Sequence, residues 1–375
     1  MRKIRLVYVV STLGRTGPTR QLYNLIKYLD AAHFDAQVIT LSPNPSDSLR
    51  RDLADLGIAV RSLNLSRLAG AILGRGRLAN ILDEMQPNIL HSQGLRADWL
   101  CSRLADFDKK VATQRNNPLQ DYPSLMGQLK GAIAAQLHYR ALTRLPVVVA
   151  CSQAIADTNN RRGLSTRVIH NGVDLTLAKT PMNHEEQTAK RQSLGLPEAG
   201  RLFLYAGPLI PRKNPELLIR AMMSQVKQKD SLLVLGDGPL LSRCRNLANG
   251  ATNIFLPGSV KSITDYLEVA DICISASRAE GMPNTVLEAL STGLPVLLSD
   301  IQSHREILAL SPTAGWLFQT DSLNGLLEKI ENITLSPENR LAARQLAVEH
   351  FSANSMSQAY QNLYQDLVSM NESHD

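Results

Sequence analysis

Two glutamates with seven residues between them, Glu280 and Glu288, lie in the segment SRAEGMPNTVLEAL. The apolar run DICISAS before them predicts a buried strand, and we expect a helix from Pro283 to Thr292. Proline suits the first turn of a helix, and Gly293 suits the position just after its end. Glu280 would then lie at the carboxyl end of a strand, where open α/β sheets bind ligands, and Glu288 more than one turn into the helix.

These residue types suit neighbouring parts of one ligand. A carboxylate can accept two hydroxyl hydrogen bonds, as a sugar requires. The N-terminus of the helix, with the N–H groups of Asn284, Thr285 and Val286, suits a phosphate. A sugar, a phosphate and a second carboxylate in sequence match a nucleotide-sugar. For each glutamate taken singly, a solvated loop acid or a surface helix acid stays open as the alternative.

The elements that would position these residues follow a regular alternation. Apolar runs bounded by turn residues recur, and amphipathic segments such as TRQLYNLIKYLD lie between most of them. This pattern predicts mostly parallel sheets covered by helices on both faces. It lapses around 175–200, in a polar segment typical of a linker with a short helix. We predict two doubly wound α/β domains, over 1–176 and 190–355, and a last amphipathic helix over 356–372.

Six segments occur in an order that resembles a known family. They are TLGRTGPTRQLYNLIKYL, IHNGVDL, LYAGPLIPRKNPELLIRA, VLGDGPL, FLPGSVKSITDYLEVADICISAS and EGMPNTVLEALSTGLPVLLSD. The sequence resembles the retaining GT-B glycosyltransferases of family 4 (glycosyl transferases group 1), whose signature is Glu-x7-Glu. The resemblance covers nearly the whole chain. It implies two Rossmann-like domains facing a cleft, with the acceptor on the first, the nucleotide-sugar on the second, and the last helix packed back on the first.

The resemblance also implies a role for each matching residue. Glu280 would bind hydroxyls of the donor sugar, and Glu288 would bind the ribose. Lys213, with Arg212, would neutralise the departing diphosphate, which is electrostatic stabilisation of developing charge. The remaining donor-binding positions are Asn284, Thr285 and Val286 at the diphosphate, Gly236 in the Gly-Asp-Gly-Pro turn, Gly258 and Val260 beside the base, and Gly14 and Gly17 in the first loop.

The sequence departs from the family pattern at two places. Pro208 stands where the family usually has an arginine, so a diphosphate cation is missing or Arg212 replaces it. A His-x-His pair is represented by His91 and Gln93. We keep His91 as a catalytic candidate that would serve donor or acceptor hydroxyls, and a strand-end histidine satisfied by the backbone stays open as the alternative.

Charge is spread unevenly over the chain, whose formal net charge is +6. Residues 1–180 hold 24 Lys and Arg against 13 Asp and Glu, whereas the rest holds 16 against 21. Such an excess suggests an anionic partner for the first half. From Tyr122 to Ala156 there is no acid, and Leu125, Leu129, Ile133 and Leu137 fall near helical spacing. This helix would rest on an anionic membrane or simply pack on its own domain. Few aromatics and no recognition motif argue against nucleic acid.

Other patterns exclude further classes of protein. Four scattered cysteines with no Cys-x-x-Cys argue against disulfides and zinc and fit a reducing cytosol. Asp106 and Asp108 form an Asp-x-Asp in a polar stretch without a strand pattern, so we expect a solvated loop and no metal. The apolar run at 6–10 is too short for a signal peptide, and we expect a first buried strand there. The fingerprints of nicotinamide sites, P-loops and hydrolase elbows are missing.

The expected protein is a retaining glycosyltransferase that needs no cofactor or metal. It would move a sugar from a nucleotide-sugar, most simply a UDP-sugar, to a saccharide or lipid-linked saccharide in cell-surface polysaccharide synthesis. We expect it in the cytoplasm, with peripheral contact to the inner face of the plasma membrane as a hypothesis. A non-catalytic nucleotide-sugar-binding protein and a sugar-nucleotide epimerase on the same scaffold stay open.

Overall fold

A computed structural model describes residues 3–105, 107–177, 182, 184–224 and 229–369 of the chain. It divides into two compact units. The first comprises the chain up to Gly172 together with the chain from Ala353 onward, and the second comprises Val173–Ser352.

The first unit alternates strands and helices. Its elements are β1 (Ile4–Val10), α1 (Gly17–Lys27), β2 (Phe34–Thr40), α2 (Arg50–Asp55), β3 (Ala59–Ser62), α3 (Arg67–Met85), β4 (Ile89–Gln93), α4 (Leu95–Cys101), β5 (Lys110–Gln114), α5 (Pro118–Met126), α6 (Gln128–Leu142), β6 (Val147–Ala150), α7 (Gln153–Asn160) and β7 (Arg167–Val168).

The second unit repeats the alternation, and the chain then returns to the first. Its elements are α8 (His184–Ser193), β8 (Leu202–Ala206), α9 (Pro215–Met223), β9 (Ser231–Leu235), α10 (Leu241–Leu247), β10 (Ile254–Gly258), α11 (Thr264–Val269), β11 (Ile272–Ser275), α12 (Asn284–Ser291), β12 (Val296–Ser299), α13 (Gln302–Leu310), β13 (Gly315–Phe318), α14 (Leu323–Asn332) and α15 (Pro337–His350), followed in the first unit by α16 (Ala353–Ser369). Short 3₁₀ turns span Leu175–Leu177, Pro211–Lys213 and Pro312–Ala314.

Both sheets are parallel, and each reverses its winding direction once. The first has the order β3-β2-β1-β4-β5-β6-β7, and the second has the order β10-β9-β8-β11-β12-β13. The winding reverses between β1 and β4 and between β8 and β11. In doubly wound sheets, ligands bind beyond the carboxyl ends of the strands at such a switch point. The predicted class of two doubly wound α/β domains is therefore confirmed.

The apolar strands form the cores because helices cover both faces of each sheet. The strands β1, β8 and β9 are buried almost throughout. In the first unit, the helix α16 adds buried tyrosines to the sheet.

Three boundaries differ from those expected. The first segment of the first unit ends at Gly172 rather than 176, and the second unit begins at Val173 rather than 190. The N–H of Val173 donates to the carbonyl of Phe351 at 2.7 Å, and the helix α8 is also bound to the second unit. Arg191 pairs with Asp271 (Nη2–Oδ2 2.6 Å) and Lys190 with Glu268 (Nζ–Oε2 2.6 Å). Part of the predicted linker, residues 178–181 and 183, lies outside the described residues. The last helix begins at Ala353, three residues before the expected start, and residues after 369 are also outside the described part.

The sequence patterns missed the strands β3, β5 and β13. The strand β5 has the polar sequence KVATQ, yet all five of its residues are buried. The ammonium group of Lys110 is satisfied because it donates to the carbonyl of Leu104 at 2.7 Å. A short strand with a lysine and a glutamine lacks the apolar signal on which periodicity depends.

Candidate functional site

A small pocket lies at the switch point of the second sheet. Its floor comes from the ends of β8 and β11, and its rim contains Lys213, Glu280 and the first turn of α12. The structure thus gathers five of the predicted donor residues at one edge of the sheet: Lys213, Glu280, Asn284, Thr285 and Val286.

Glu280 lies between two cations. Its Oε1 pairs with the ammonium group of Lys213, and its Oε2 lies 3.2 Å from Arg212 Nη1. The Glu280 side chain is 7% exposed, and the other two are 17% exposed. Burial alone would raise the pKa of Glu280, but Lys213 and Arg212 lower that pKa to about 2. The carboxyl group is therefore ionised, and the cluster carries one net positive charge.

Backbone contacts hold the two loops that carry this cluster together. The N–H of Arg278 donates to the carbonyl of Arg212 at 2.8 Å, and its guanidinium donates to the carbonyl of Pro211 at 3.0 Å. Arg212 donates in turn to the carbonyl of Ala279. The loop after β8 and the loop after β11 are thereby fixed against each other, which places Lys213 on Glu280.

The helix α12 begins at Asn284 and ends at Ser291, with Pro283 as its N-cap residue and Gly293 just beyond its end. Val286 also lines the pocket, and its predicted role at the diphosphate stays a prediction. Its N–H already donates to the carbonyl of Pro283 at 3.1 Å, and its side chain is buried. Asn284 and Thr285 lie nearer the mouth of the pocket and are half-buried.

Glu288 lies one turn further along α12 and is half-buried. It does not line the pocket that contains Glu280. Its charge acts towards β11: burial, and then the carboxylate of Glu288, raise the pKa of Cys273 to about 12. The two glutamates therefore occupy different parts of the same sheet edge.

Glycines let the loops after β8 and β9 approach each other. Gly236 has φ +140°, and a Cβ there would lie 1.9 Å from the carbonyl oxygen of Gly207. Only glycine fits this position. Gly258 also has a positive φ, +90°. Its carbonyl accepts a hydrogen bond of 2.9 Å from the N–H of Gly236, the residue just after β9. Val260 is half-buried beyond it.

Pro208 lies in the loop after β8, and its carbonyl accepts from the Tyr205 hydroxyl at 3.0 Å. It brings no positive charge. Arg212, four residues further on, lies against Glu280 instead. The second cation of the cluster therefore comes from the 3₁₀ turn Pro211–Lys213.

The catalytic role expected of His91 is wrong. The ring is fully buried in the first unit. Its Nδ1 lies 2.6 Å from the hydroxyl of Tyr364, and its Nε2 lies 2.8 Å from that of Thr113. Burial lowers the pKa of His91 to about 3, so the ring is neutral. His91 on β4 faces Tyr364 of α16. Gln93, two residues further along, is the last residue of the strand.

Gln93 lines a second pocket, of about 220 Å³, at the switch point of the first sheet. The lining residues share a position at the ends of β1, β4 and β5 or on the helices above them: Val10, Ser11, Thr12, Thr16, Pro18, Thr19, Gln93, Gly94, Thr113, Gln114, Arg115, Asn116, Tyr122 and His138. Sequence reasoning missed four of these residues, Thr113, Gln114, Arg115 and Asn116, because it missed β5. The polar run QRNN after that strand was the available signal.

One wall of this pocket is a buried hydrogen-bonded chain. Ser92 Oγ donates to Asp98 Oδ1 at 2.6 Å, and His138 Nε2 lies 2.7 Å from Asp98 Oδ2. The Tyr122 hydroxyl lies 2.8 Å from His138 Nδ1. The chain fixes both rings at the pocket.

The glycines of the first loop do not line this pocket. Gly14 bridges to Ser48, and a Cβ there would make only an ordinary contact, 3.5 Å from Pro45. Gly17 is the first residue of α1. The predicted approach of Gly14 and Gly17 to a donor phosphate stays a prediction.

No group of three or more His, Cys, Asp and Glu side chains that could hold a metal occurs within the described ranges. Asp106 of the Asp-x-Asp lies outside them. The four cysteines are buried thiols.

Family models match both halves of the chain. The Glycosyltransferase Family 4 model matches residues 15–177, and the Glycosyl transferases group 1 model matches residues 200–335. Together they cover most of both units. The chain belongs to the GT-B glycosyltransferases of family 4.

Individual relatives agree with this family. A UDP-Gal:alpha-D-GlcNAc-diphosphoundecaprenol alpha-1,3-galactosyltransferase of Escherichia coli is 30% identical over 44% of this chain and 44% of its own length. The match thus spans less than half of that relative. The O-antigen biosynthesis glycosyltransferase WclY of Escherichia coli is 22% identical over 97% of this chain and 99% of its own. The structure of Anabaena HepE with UDP and glucose shares the fold, with a TM-score of 0.79, 18% identity and coverage of 97% and 100%.

Proposed function

We propose that the protein is a retaining glycosyltransferase that moves a sugar from a UDP-sugar to a saccharide or lipid-linked saccharide in cell-surface polysaccharide synthesis. The observation that carries the proposal is the cluster of Lys213, Arg212 and Glu280 at the switch point of the second sheet. Two cations around one carboxylate leave a positive charge where a diphosphate would lie. The carboxylate can accept sugar hydroxyls beside it.

The cluster suits the step in which the bond between the sugar and the diphosphate breaks. Negative charge then develops on the diphosphate, and fixed cations in a partly buried site stabilise it without rearranging. Lys213 and Arg212 supply this charge themselves, so the proposal includes no divalent metal. The acceptor hydroxyl would attack from the face that the diphosphate leaves, as the family resemblance implies for retention.

The names of two similar proteins support the donor and acceptor classes. The Escherichia coli relative is named for a UDP-sugar donor and a diphosphoundecaprenol-linked acceptor, and HepE holds UDP and glucose. We carry UDP and a lipid-linked saccharide to this chain as part of the proposal.

The test is a thermal-shift panel of UDP-sugars at about 100 times Kd. Binding at that level adds about 2.7 kcal/mol, which raises Tm by roughly 5 °C or more in a unit of this size. We expect one UDP-sugar to stabilise the wild type, with and without a chelator. Lys213→Gln and Glu288→Gln should lose most of the shift. Glu331→Gln, which alters an exposed glutamate on α14, is the matched control and should keep it.

Equal shifts in all four proteins would contradict the donor site. Product analysis then separates the activities. Transfer to an added acceptor supports the transferase, whereas a changed sugar that stays on the nucleotide without any acceptor would identify an epimerase. Binding with neither product would leave a nucleotide-sugar-binding protein.

We also propose that the first unit contacts an anionic membrane surface. Leu125, Leu129 and Ile133 are 66%, 76% and 55% exposed. The predicted single helix is interrupted at Gly127, whose φ is +82°, so these residues lie on α5 and α6, and Leu137 is half-buried. No helix in the described part of the chain is both long and apolar enough to span a bilayer.

A further inference from the structure

The pocket at the switch point of the first sheet contains buried nitrogen donors that have nothing to donate to. Gln93 is 7% exposed, and its Nε2 has no hydrogen-bond partner. Arg115 lines the same pocket, and its Nε and Nη2 also lack partners. A buried donor without a partner costs free energy, so native proteins rarely keep one without a reason.

The charge of the pocket has one sign. Among the described residues, the lining contains no carboxylate, and Arg115 forms no ion pair with a described Asp or Glu. Behind the wall, the carboxylate of Asp98 is occupied by Ser92 and His138, and the buried Asp121 precedes Tyr122 in the chain. An arginine that is partly buried and uncompensated favours an anion.

The position of Arg115 is fixed. Its Nη1 donates to Asn171 Oδ1 at 2.5 Å, and the following residue, Gly172, is bound by Gln21 through two hydrogen bonds of 2.9 and 3.0 Å. One edge of the guanidinium is thus held by the protein, while Nε and Nη2 are left. Two adjacent nitrogens of one guanidinium match the two oxygens of a phosphate or a carboxylate.

We propose that Gln93 and Arg115 form a subsite for an oxyanion of the acceptor, either a phosphate of a lipid-linked saccharide or a carboxylate of an acidic sugar. The assignment to the acceptor rests on the proposed function, whereas the oxyanion site itself does not. Gln93 supplies its amide donor, and Arg115 supplies a two-nitrogen edge. The rings of Tyr122 and His138, held by the Asp98 chain, also line this pocket.

Calorimetric titration of the full chain measures the subsite directly. The probes are methyl phosphate and glucuronate, each with sodium chloride at equal ionic strength as the blank and with UDP present to occupy the donor site. We expect at least one probe to bind. The probe that binds more tightly identifies the source of the oxyanion. Arg115→Gln should weaken binding at least tenfold. Arg144→Gln, which removes an exposed arginine of the same unit, should bind as the wild type does.

Gln93→Leu separates a binding role from a structural one. Because this variant removes a buried amide nitrogen without a partner, it should not lower the Tm of the free protein. It should nevertheless weaken binding of the probe at least tenfold. Three results would overturn the proposal. Neither probe binds the wild type, Arg115→Gln binds as tightly as the wild type, or Lys213→Gln loses binding instead. Failure of sugar transfer with intact oxyanion binding would contradict the proposed function alone.

Discussion

Three residues form the charged cluster of the second unit, and they meet from two distant parts of the sequence. Glu280 lies 67 positions after Lys213. In the proposed function, a donor diphosphate would share Lys213 and Arg212 with this carboxylate. The pairing keeps the cations in place before the donor arrives, so little reorganisation is needed when charge develops.

Gly236 is the residue whose replacement the structure constrains most directly. In Gly236→Ala, the new Cβ would lie 1.9 Å from the carbonyl oxygen of Gly207, at a φ of +140° that alanine rarely adopts. We expect the free energy of unfolding to fall by on the order of 3 kcal/mol, because overpacking and backbone strain add. Urea denaturation measures the change.

Gly76→Ala is the matched control. Gly76 is exposed on α3, and a Cβ there would meet nothing within 4 Å. Alanine has the higher helix propensity, so we expect stabilisation of about 0.5–1 kcal/mol. A loss at Gly236 no larger than a few tenths would show that the loop after β8 can move away.

At the scale of elements, each sheet places one pocket at its own switch point. The ends of β8 and β11 carry the donor candidates, and the ends of β1, β4 and β5 carry the polar pocket of the first unit. Both follow from parallel topology, since all strand ends of a parallel sheet lie at one edge.

The contact between β4 and α16 predicts how stability responds to pH. His91 is neutral in the folded state because burial lowers its pKa to about 3, whereas the unfolded chain takes up a proton near pH 6.5. A histidine with a lowered folded pKa therefore destabilises the fold as pH falls below 6.5. From pH 7 to pH 5 its contribution is about 2 kcal/mol.

His91→Phe should remove that part of the pH dependence, although it also loses the hydrogen bonds to Tyr364 and Thr113 and lowers stability at pH 7. The measurement is the free energy of unfolding in urea at pH 7 and pH 5. His350→Gln, at an exposed position on α15, should leave the difference between the two pH values unchanged. An unchanged difference in His91→Phe would mean that His91 is protonated in the fold.

At the scale of the whole molecule, the net charge of the first 180 residues is positive and the net charge of the rest is negative. Exposed leucine and isoleucine side chains on α5 and α6 lie in the acid-free segment from Tyr122 to Ala156, beside Lys130. Apolar side chains that enter a lipid surface, with basic residues near its anionic headgroups, would bind it cooperatively.

Vesicle sedimentation tests this surface. We expect binding to vesicles that contain phosphatidylglycerol, weaker binding to neutral vesicles, and loss of binding at high salt. Leu129→Ser with Ile133→Ser should reduce binding at least tenfold. Leu341→Ser, which alters a leucine that is 59% exposed in the second unit, is the control. Equal binding of both variants would place the contact elsewhere or exclude it.

The sequence by itself determined the two α/β units, the strand that precedes Glu280, the start and end of α12, and the family. These are local patterns: apolar runs, proline and glycine at helix ends, and motifs in a fixed order. It missed β5, because polar residues that are satisfied by distant partners look like a loop. Tertiary structure decided which residues meet. It placed Arg212 on Glu280, turned His91 into the core against Tyr364, bound the N–H of Val286 to Pro283, and brought Gln93 and Arg115 to one pocket. Contacts of this kind depend on strand order and side-chain direction, and neither is encoded in the spacing of residues along the chain.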